Sequence, residues 1–152
     1  MNQEYMRDLS RKYKEALMPY LRYLPWFEAH AGENTGSSYN GSMDGNNTMS
    51  FPVYDSTLLS FVKEIGKSSF MNRNYVYIYS RRRIKTLEDE RKAIRTATIQ
   101  EWDVLCGILS KYVLGGNTKA QMWTQAVKDN IFLMILQKMQ EIVEYWDRRL
   151  GD

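Results

Sequence analysis

The chain has 152 residues, with 43% hydrophobic, 26% charged and 13% aromatic side chains. That length matches one domain, and the balance is too apolar for general disorder. Its 21 Lys+Arg against 18 Asp+Glu leave only +3, which excludes a polyanion partner argued from bulk charge and leaves only a local patch to be considered. The lone cysteine, Cys106, excludes an intrachain disulfide framework and a multi-thiolate metal site, and it favours a reducing compartment.

The opening segment is charged throughout and lacks the apolar stretch of a signal peptide, and no later run approaches a membrane span. The expectation is a cytoplasmic protein with no membrane partner. Tyr5, Leu9, Tyr13, Ala16, Leu17, Tyr20 and Leu24 recur at spacings of three and four with charges between them, which predicts an amphipathic helix. Pro19 is expected to break or kink it near Leu17 and Met18, and Pro25 to end the second piece.

From Gly32 to Ser50 the text is dense in Gly, Asn and Ser, which predicts a long surface loop, a floppy hairpin or a ligand-gripping segment over 32–50. The triplets beginning at Asn40 and Asn46 match glycosylation acceptors, but the cytoplasmic reading makes them chance matches. Asp55 is a good N-cap for a helix carrying Leu58, Leu59, Val62 and Ile65, stopped near Gly66. Tyr75-Val76-Tyr77-Ile78-Tyr79 alternates like a strand, yet Tyr75, Ile78 and Tyr79 also fit a helical turn. A short charged helix follows from Thr86 to Ala97, with Glu88 four before Lys92 to form a pair.

Thr98 and Glu101 form a capping-box pattern that opens a helix with Trp102, Leu105, Cys106, Leu109, Tyr112 and Val113 on its buried face, and Gly115-Gly116 is expected to supply a left-handed stop. Thr118 is expected to cap a helix through Trp123 and Val127. The last helix opens near Asp129-Asn130 and is apolar on every side from Ile131 to Leu136, which places those turns at the centre of the bundle. The fold class expected is all-α: a compact bundle of about five or six helices forming one domain over 1–152.

The segment Ile94 to Met139 resembles an uncharacterised bacterial family, a domain of unknown function common in Firmicutes. The residues carrying the likeness are Thr98, Tyr112-Val113, Gly115 and Trp123, and a looser similarity reaches back through Phe51-Pro52-Val53-Tyr54 to about Leu24. Many members carry a charged Arg-Gly-Glu-Arg-like turn where this chain has Leu114-Gly115-Gly116-Asn117. The resemblance implies an all-helical domain and transfers no activity or catalytic residue.

Candidate chemistry is sparse. His30 is the sole histidine, which excludes a two-histidine metal site within one chain and reads as a surface residue. Cys106 stands on an apolar stripe and reads as an inert core thiol. Gly115-Gly116-Asn117-Thr118 precedes a helix but lacks the Gly-x-x-x-x-Gly-Lys frame of a phosphate loop, so it reads as a C-cap followed by an N-cap. Glu88, Asp89 and Glu90 are adjacent on a charged helix and read as a solvated face. No cofactor, metal site or catalytic residue is assigned.

The one local anomaly is basic. Arg81, Arg82, Arg83, Lys85, Arg91, Lys92 and Arg95 stand against Glu88, Asp89 and Glu90, a surplus of four cations in a chain whose net charge is +3. With Tyr75, Tyr77 and Tyr79 upstream, this pairs cations for phosphates with rings for stacking or for a protein partner. The preferred expectation is a non-enzymatic module that binds an unknown protein partner or itself. A nucleic-acid-associated role through the basic segment is the alternative, and an enzyme with a carboxylate and tyrosine site assembled only in the fold is the third.

Overall fold

The computed structural model of the chain describes residues 3–33, 37–40, 50–53, 55–119 and 121–150. Among these, eight α-helices are present rather than the five or six expected: α1 (Gln3–Leu21), α2 (Leu24–Ala29), α3 (Ser56–Ile65), α4 (Tyr75–Arg82), α5 (Leu87–Thr96), α6 (Trp102–Gly115), α7 (Gln121–Lys128) and α8 (Ile131–Leu150). The undercount arose where short turns separate short helices: α4 from α5, and α1 from α2. A 3₁₀ turn, Ile99–Glu101, leads into α6. The stretch expected as a loop contains a short antiparallel ladder between β1 (Ser37–Asn40) and β2 (Ser50–Val53). The expectations placed on 34–36 and 41–49, including the acceptor triplet at Asn46, lie outside the described residues.

Helix α1 runs through Pro19 and ends two residues later. A proline costs a helix its hydrogen bond to the carbonyl four residues back, and this close to the C-terminus little helix remains to be disrupted. Pro25 opens α2 instead of ending it, because the first turn has no use for the missing N–H. The ambiguous Tyr75–Tyr79 run is helical, since only Ile78 of that run is fully buried and a buried strand face would need alternate residues inside. Gly116 ends α6 with right-handed φ −65°, so no left-handed stop occurs there.

The left-handed stops lie at Arg83 (φ 56°) and Asn130 (φ 62°). After α4, Ile84 N–H donates to Tyr79 O at 2.9 Å and Arg83 N–H to Ser80 O at 3.2 Å, with buried Ile84 covering the junction, a Schellman motif. Asn130 turns α7 into α8, and its side-chain oxygen accepts from Gly32 N–H at 2.7 Å. The expected caps form at Asp55, whose carboxylate accepts from Thr57 N–H at 2.7 Å, and at Thr98 with Glu101. A further capping box joins Thr86 to Asp89.

Helix α8 is the hub, packing against α1, α2, α5, α6 and α7. Ile131, Phe132, Ile135, Leu136 and Met139 are completely buried, which meets the expectation for an opening turn apolar on every side. Phe27 of α2, Phe61 of α3 and Phe132 of α8 meet at ring-centroid distances of 4.9 to 5.8 Å. Lys14 of α1 pairs with Asp147 of α8 at 2.5 Å, and Tyr13 of α1 stacks on Trp102 of α6 at 4.3 Å. Helix α4 lies on α6 because Gly107 has no side chain: a Cβ there would stand 2.8 Å from Ile78 Cδ1.

Trp123 locks the α6–α7 corner. Its indole N–H donates to the Val113 carbonyl at 2.9 Å, and its ring occupies the space where a Cβ on Gly116 would stand, 2.0 Å from Nε1. Trp123→Ala is expected to lower the unfolding free energy in urea by about 3–5 kcal/mol. Gly116→Ala should destabilise as well, because the indole must leave its carbonyl. An unchanged denaturation midpoint in both variants would remove Trp123 from the core.

Candidate functional site

The basic segment divides into structural and spare cations. Arg81 pairs with Asp103 at 3.3 Å and lies over the Tyr77 ring at 5.6 Å. Arg91 pairs with Glu88 at 3.3 Å and donates to the Asp129 carbonyl at 3.0 Å, tying α5 to the α7–α8 turn. It is Arg91, three residues on, and not Lys92 that takes Glu88 into an ion pair. Arg82, Arg83, Lys85, Lys92 and Arg95 are exposed, and none has a carboxylate partner within ion-pair distance among the described residues.

The helical turn separates the three tyrosines. Tyr77 is 64% exposed, whereas Tyr75 and Tyr79 are partly buried and meet edge to face at 6.5 Å. Tyr79 is not a free ring for a partner, because its hydroxyl donates to Glu90 at 2.5 Å and Lys111 sits over its face at 4.8 Å.

The reading of Glu88, Asp89 and Glu90 as one solvated face is corrected at Glu90. Successive helical residues point about 100° apart, so three neighbouring carboxylates cannot share an environment. Glu88 is exposed, Asp89 is spent on the Lys85 and Thr86 backbone amides, and Glu90 is 2% exposed. Glu90 accepts from Tyr79 and from Tyr112, the latter at 2.6 Å, and pairs with Lys111 at 3.2 Å. Burial first, and then donation to Glu90, push both phenols well above their ordinary range. The signal in the sequence is faint: Glu90 stands three residues after Leu87 and four before Ile94, on the apolar stripe of α5, while its partners Tyr79 and Tyr112 come from α4 and α6.

The remaining candidates are held in local structure. His30 meets Glu33 at 3.0 Å and the Trp26 ring at 4.4 Å. The Cys106 thiol is pushed up to about 12 by burial, reinforced by Asp103, which suppresses thiolate chemistry. Around Gly115–Thr118 the backbone amides of Gly116, Asn117, Thr118 and Lys119 donate to carbonyls of their own turn, so they do not converge on an anion. Among the described residues no group of His, Cys, Asp and Glu is placed to hold a metal ion, and no helix is long and apolar enough to cross a membrane.

One groove combines the features of a binding site. It measures about 670 Å³ and lies between the start of α1, the turn before α6 and the end of α8. Its floor is Met6, Ala97, Ile99 and Ile142, each between 4% and 7% exposed. Its rim carries Tyr145, 46% exposed, with Trp146, Arg148 and Arg149. Arg149 lies over Tyr145 at 5.9 Å, and the groove's only lining carboxylate, Glu141, is paired with Lys138 at 3.3 Å. The periodicity of α8 marks its apolar face, but the groove's other wall comes from residues some forty positions earlier, so sequence reading missed it.

Removal of Glu90 leaves two buried phenol donors without an acceptor. Glu90→Ala is expected to cost about 3 kcal/mol and Glu90→Gln less, because the amide keeps one acceptor. Since both phenols titrate higher when folded, the stability they contribute is complete below the ordinary tyrosine range near 10 and is lost as pH rises above it. Urea midpoints followed from neutral to alkaline pH should fall above that range, and less so in the Tyr79→Phe, Tyr112→Phe double variant. Comparison of the chain with protein-family models, with curated proteins and with solved structures finds no match.

Proposed function

We propose that the chain is a non-enzymatic binding module whose site is the groove formed by Met6, Ala97–Gln100 and the end of α8, and that it holds a short acidic and apolar segment of a partner protein. The observation that carries this reading is the juxtaposition of a buried apolar floor with two arginines, Arg148 and Arg149, that lack carboxylate partners among the described residues. The volume falls within the range that encloses a few side chains. The exposed Tyr145 and adjoining Trp146 are the side-chain types favoured at contact cores, and the arginine fork matches a carboxylate.

A binding role is favoured over catalysis by the location of the perturbed groups. The raised tyrosines and Cys106 belong to internal packing, and none of them lines the groove. A cytoplasmic setting accords with the one buried thiol. The nucleic-acid reading loses Tyr79 as a stacking ring and Arg81 and Arg91 as free cations, which leaves a shorter basic strip than the composition suggested.

The test is amide NMR titration with a peptide that alternates Asp with Phe and Leu. It should shift Ile99, Gln100 and the Trp146 indole saturably, and Arg148→Glu with Arg149→Glu should weaken binding by about tenfold or more, the effect of losing a charge-assisted contact. Because both changes reverse charge in the last turn of α8, that double variant should lose about 1–2 kcal/mol of stability at most and stay folded during the titration. Undiminished binding in the double variant would refute the assignment. A concentration-dependent dimer that these substitutions abolish would replace the foreign partner with a second copy, and shifts produced only by an oligonucleotide would replace it with nucleic acid.

A further inference from the structure

The turn that walls this groove also walls a second, smaller one of about 340 Å³: Ala97 and Gln100 face the first, while Thr96 and Glu101 face the second. Arg82 and Arg83 from the end of α4 and Lys92 from α5 line it, over a floor that includes buried Ile84 and Val104. We propose that this second groove is a binding site for a phosphomonoester group.

Three observations converge on that assignment. The first is charge that the fold leaves unbalanced. Two carboxylates also line the groove, each with one oxygen held in a helix cap, so three cations face two anions: Asp89 Oδ2 accepts from the Lys85 and Thr86 amides at 2.9 and 3.1 Å, and Glu101 Oε1 accepts from the Thr98 amide and hydroxyl, both at 3.1 Å. Neither is within ion-pair distance of Arg82, Arg83 or Lys92. The caps hold both carboxylates in place without removing their charge, and the Lys85 and Thr86 amides, with Lys92 contributing, hold Asp89 below its ordinary range, so the surplus in the groove is one positive charge.

The second is the residue type at position 83. Its left-handed φ of 56° is the conformation for which glycine or asparagine is the inexpensive choice, and the Schellman turn would form equally with either. A cation at the end of α4 complements the helix dipole, and Arg81 and Arg82 already do so. A third arginine at the strained position adds only a side chain in the groove, which is how strain retained at a site is read.

The third is the match of donor groups to acceptors. Two guanidinium forks and an ammonium around a small groove suit a dianion with three acceptor oxygens. A nucleic-acid strand would need a platform for bases. Of the three tyrosines upstream only Tyr77 is exposed, and Arg81 already lies over its ring.

The probes are inorganic phosphate, a phosphoserine peptide with its unphosphorylated twin, and an oligothymidylate, each titrated at constant ionic strength and read on the arginine Nε–H and α5 amide resonances. Phosphate and the phosphopeptide should saturate the Arg82, Arg83 and Lys92 signals while the unphosphorylated twin does not; the tighter of the two identifies a free ester or a phosphorylated chain as the source. Arg82→Gln and Lys92→Gln should each weaken binding by about tenfold or more. Arg83→Gly should weaken it similarly while the unfolding midpoint holds or rises, because it removes the side chain and relieves the backbone together. Absence of saturation by both phosphate probes, full affinity in Arg83→Gly, or saturation by the oligothymidylate alone would each overturn the assignment. The reporters differ from Ile99 and Trp146, so failure here and failure of the peptide groove are distinguishable.

Discussion

A carboxylate taken out of water must have its lone pairs satisfied by the protein, and the way Glu90 meets that demand organises one side of this molecule. Its partners come from two other helices, Tyr79 from α4 and Lys111 and Tyr112 from α6. Helix α4 is also seated on α6 by Ile78 over Gly107 and by the pair between Arg81 and Asp103. The network ties α4 to α5 through Tyr79, while the turn at Arg83 and Ile84 sets where α4 ends. A buried ion pair of this kind contributes more to choosing one arrangement than to net stability, because the desolvation it incurs offsets much of the attraction.

Helix α8 supplies the complementary constraint. Its first half is anchored in the core by one broad face, with Leu133 and Met134 partly exposed, and its last turns emerge at the surface, so Tyr145, Trp146, Arg148 and Arg149 are carried on a rod anchored by completely buried residues. Side chains on such an element are presented in a narrower range of positions than side chains on a loop. The turn from Ala97 to Glu101, pinned by the Thr98 capping box, stands between both grooves and gives each a wall.

Net charge is a poor guide to this surface. The +3 of the whole chain conceals a division between cations paired in the fold, such as Lys14, Arg81, Arg91 and Lys111, and cations with no carboxylate partner among the described residues, of which Arg82, Arg83, Lys92, Arg148 and Arg149 line the two grooves. Caps and ion pairs engage the carboxylates in these grooves, and that local imbalance, rather than the total, is what an anionic ligand would encounter.

The sequence by itself determined the helical character, the caps at Asp55 and Thr98 and the burial of the opening turn of α8, because each depends on spacing and residue type within a few positions. It did not determine the number of helices. Short helices joined by tight turns at Leu21–Leu24 and Arg83–Leu87 leave weak periodic signals, and Arg83 closes a turn that glycine usually marks. Nor did it name the partners of Glu90, which differs from its exposed neighbours Glu88 and Lys92 in standing between Leu87 and Ile94 on the apolar stripe of α5. Only the packing of α4 and α6 against α5 decided which of those side chains would face Tyr79 and Tyr112 and which would face water. The two grooves were likewise beyond reach, since the larger joins segments dozens of residues apart and the smaller depends on how α4, α5 and the start of α6 pack, and only the tertiary arrangement decides which cations have a carboxylate within reach.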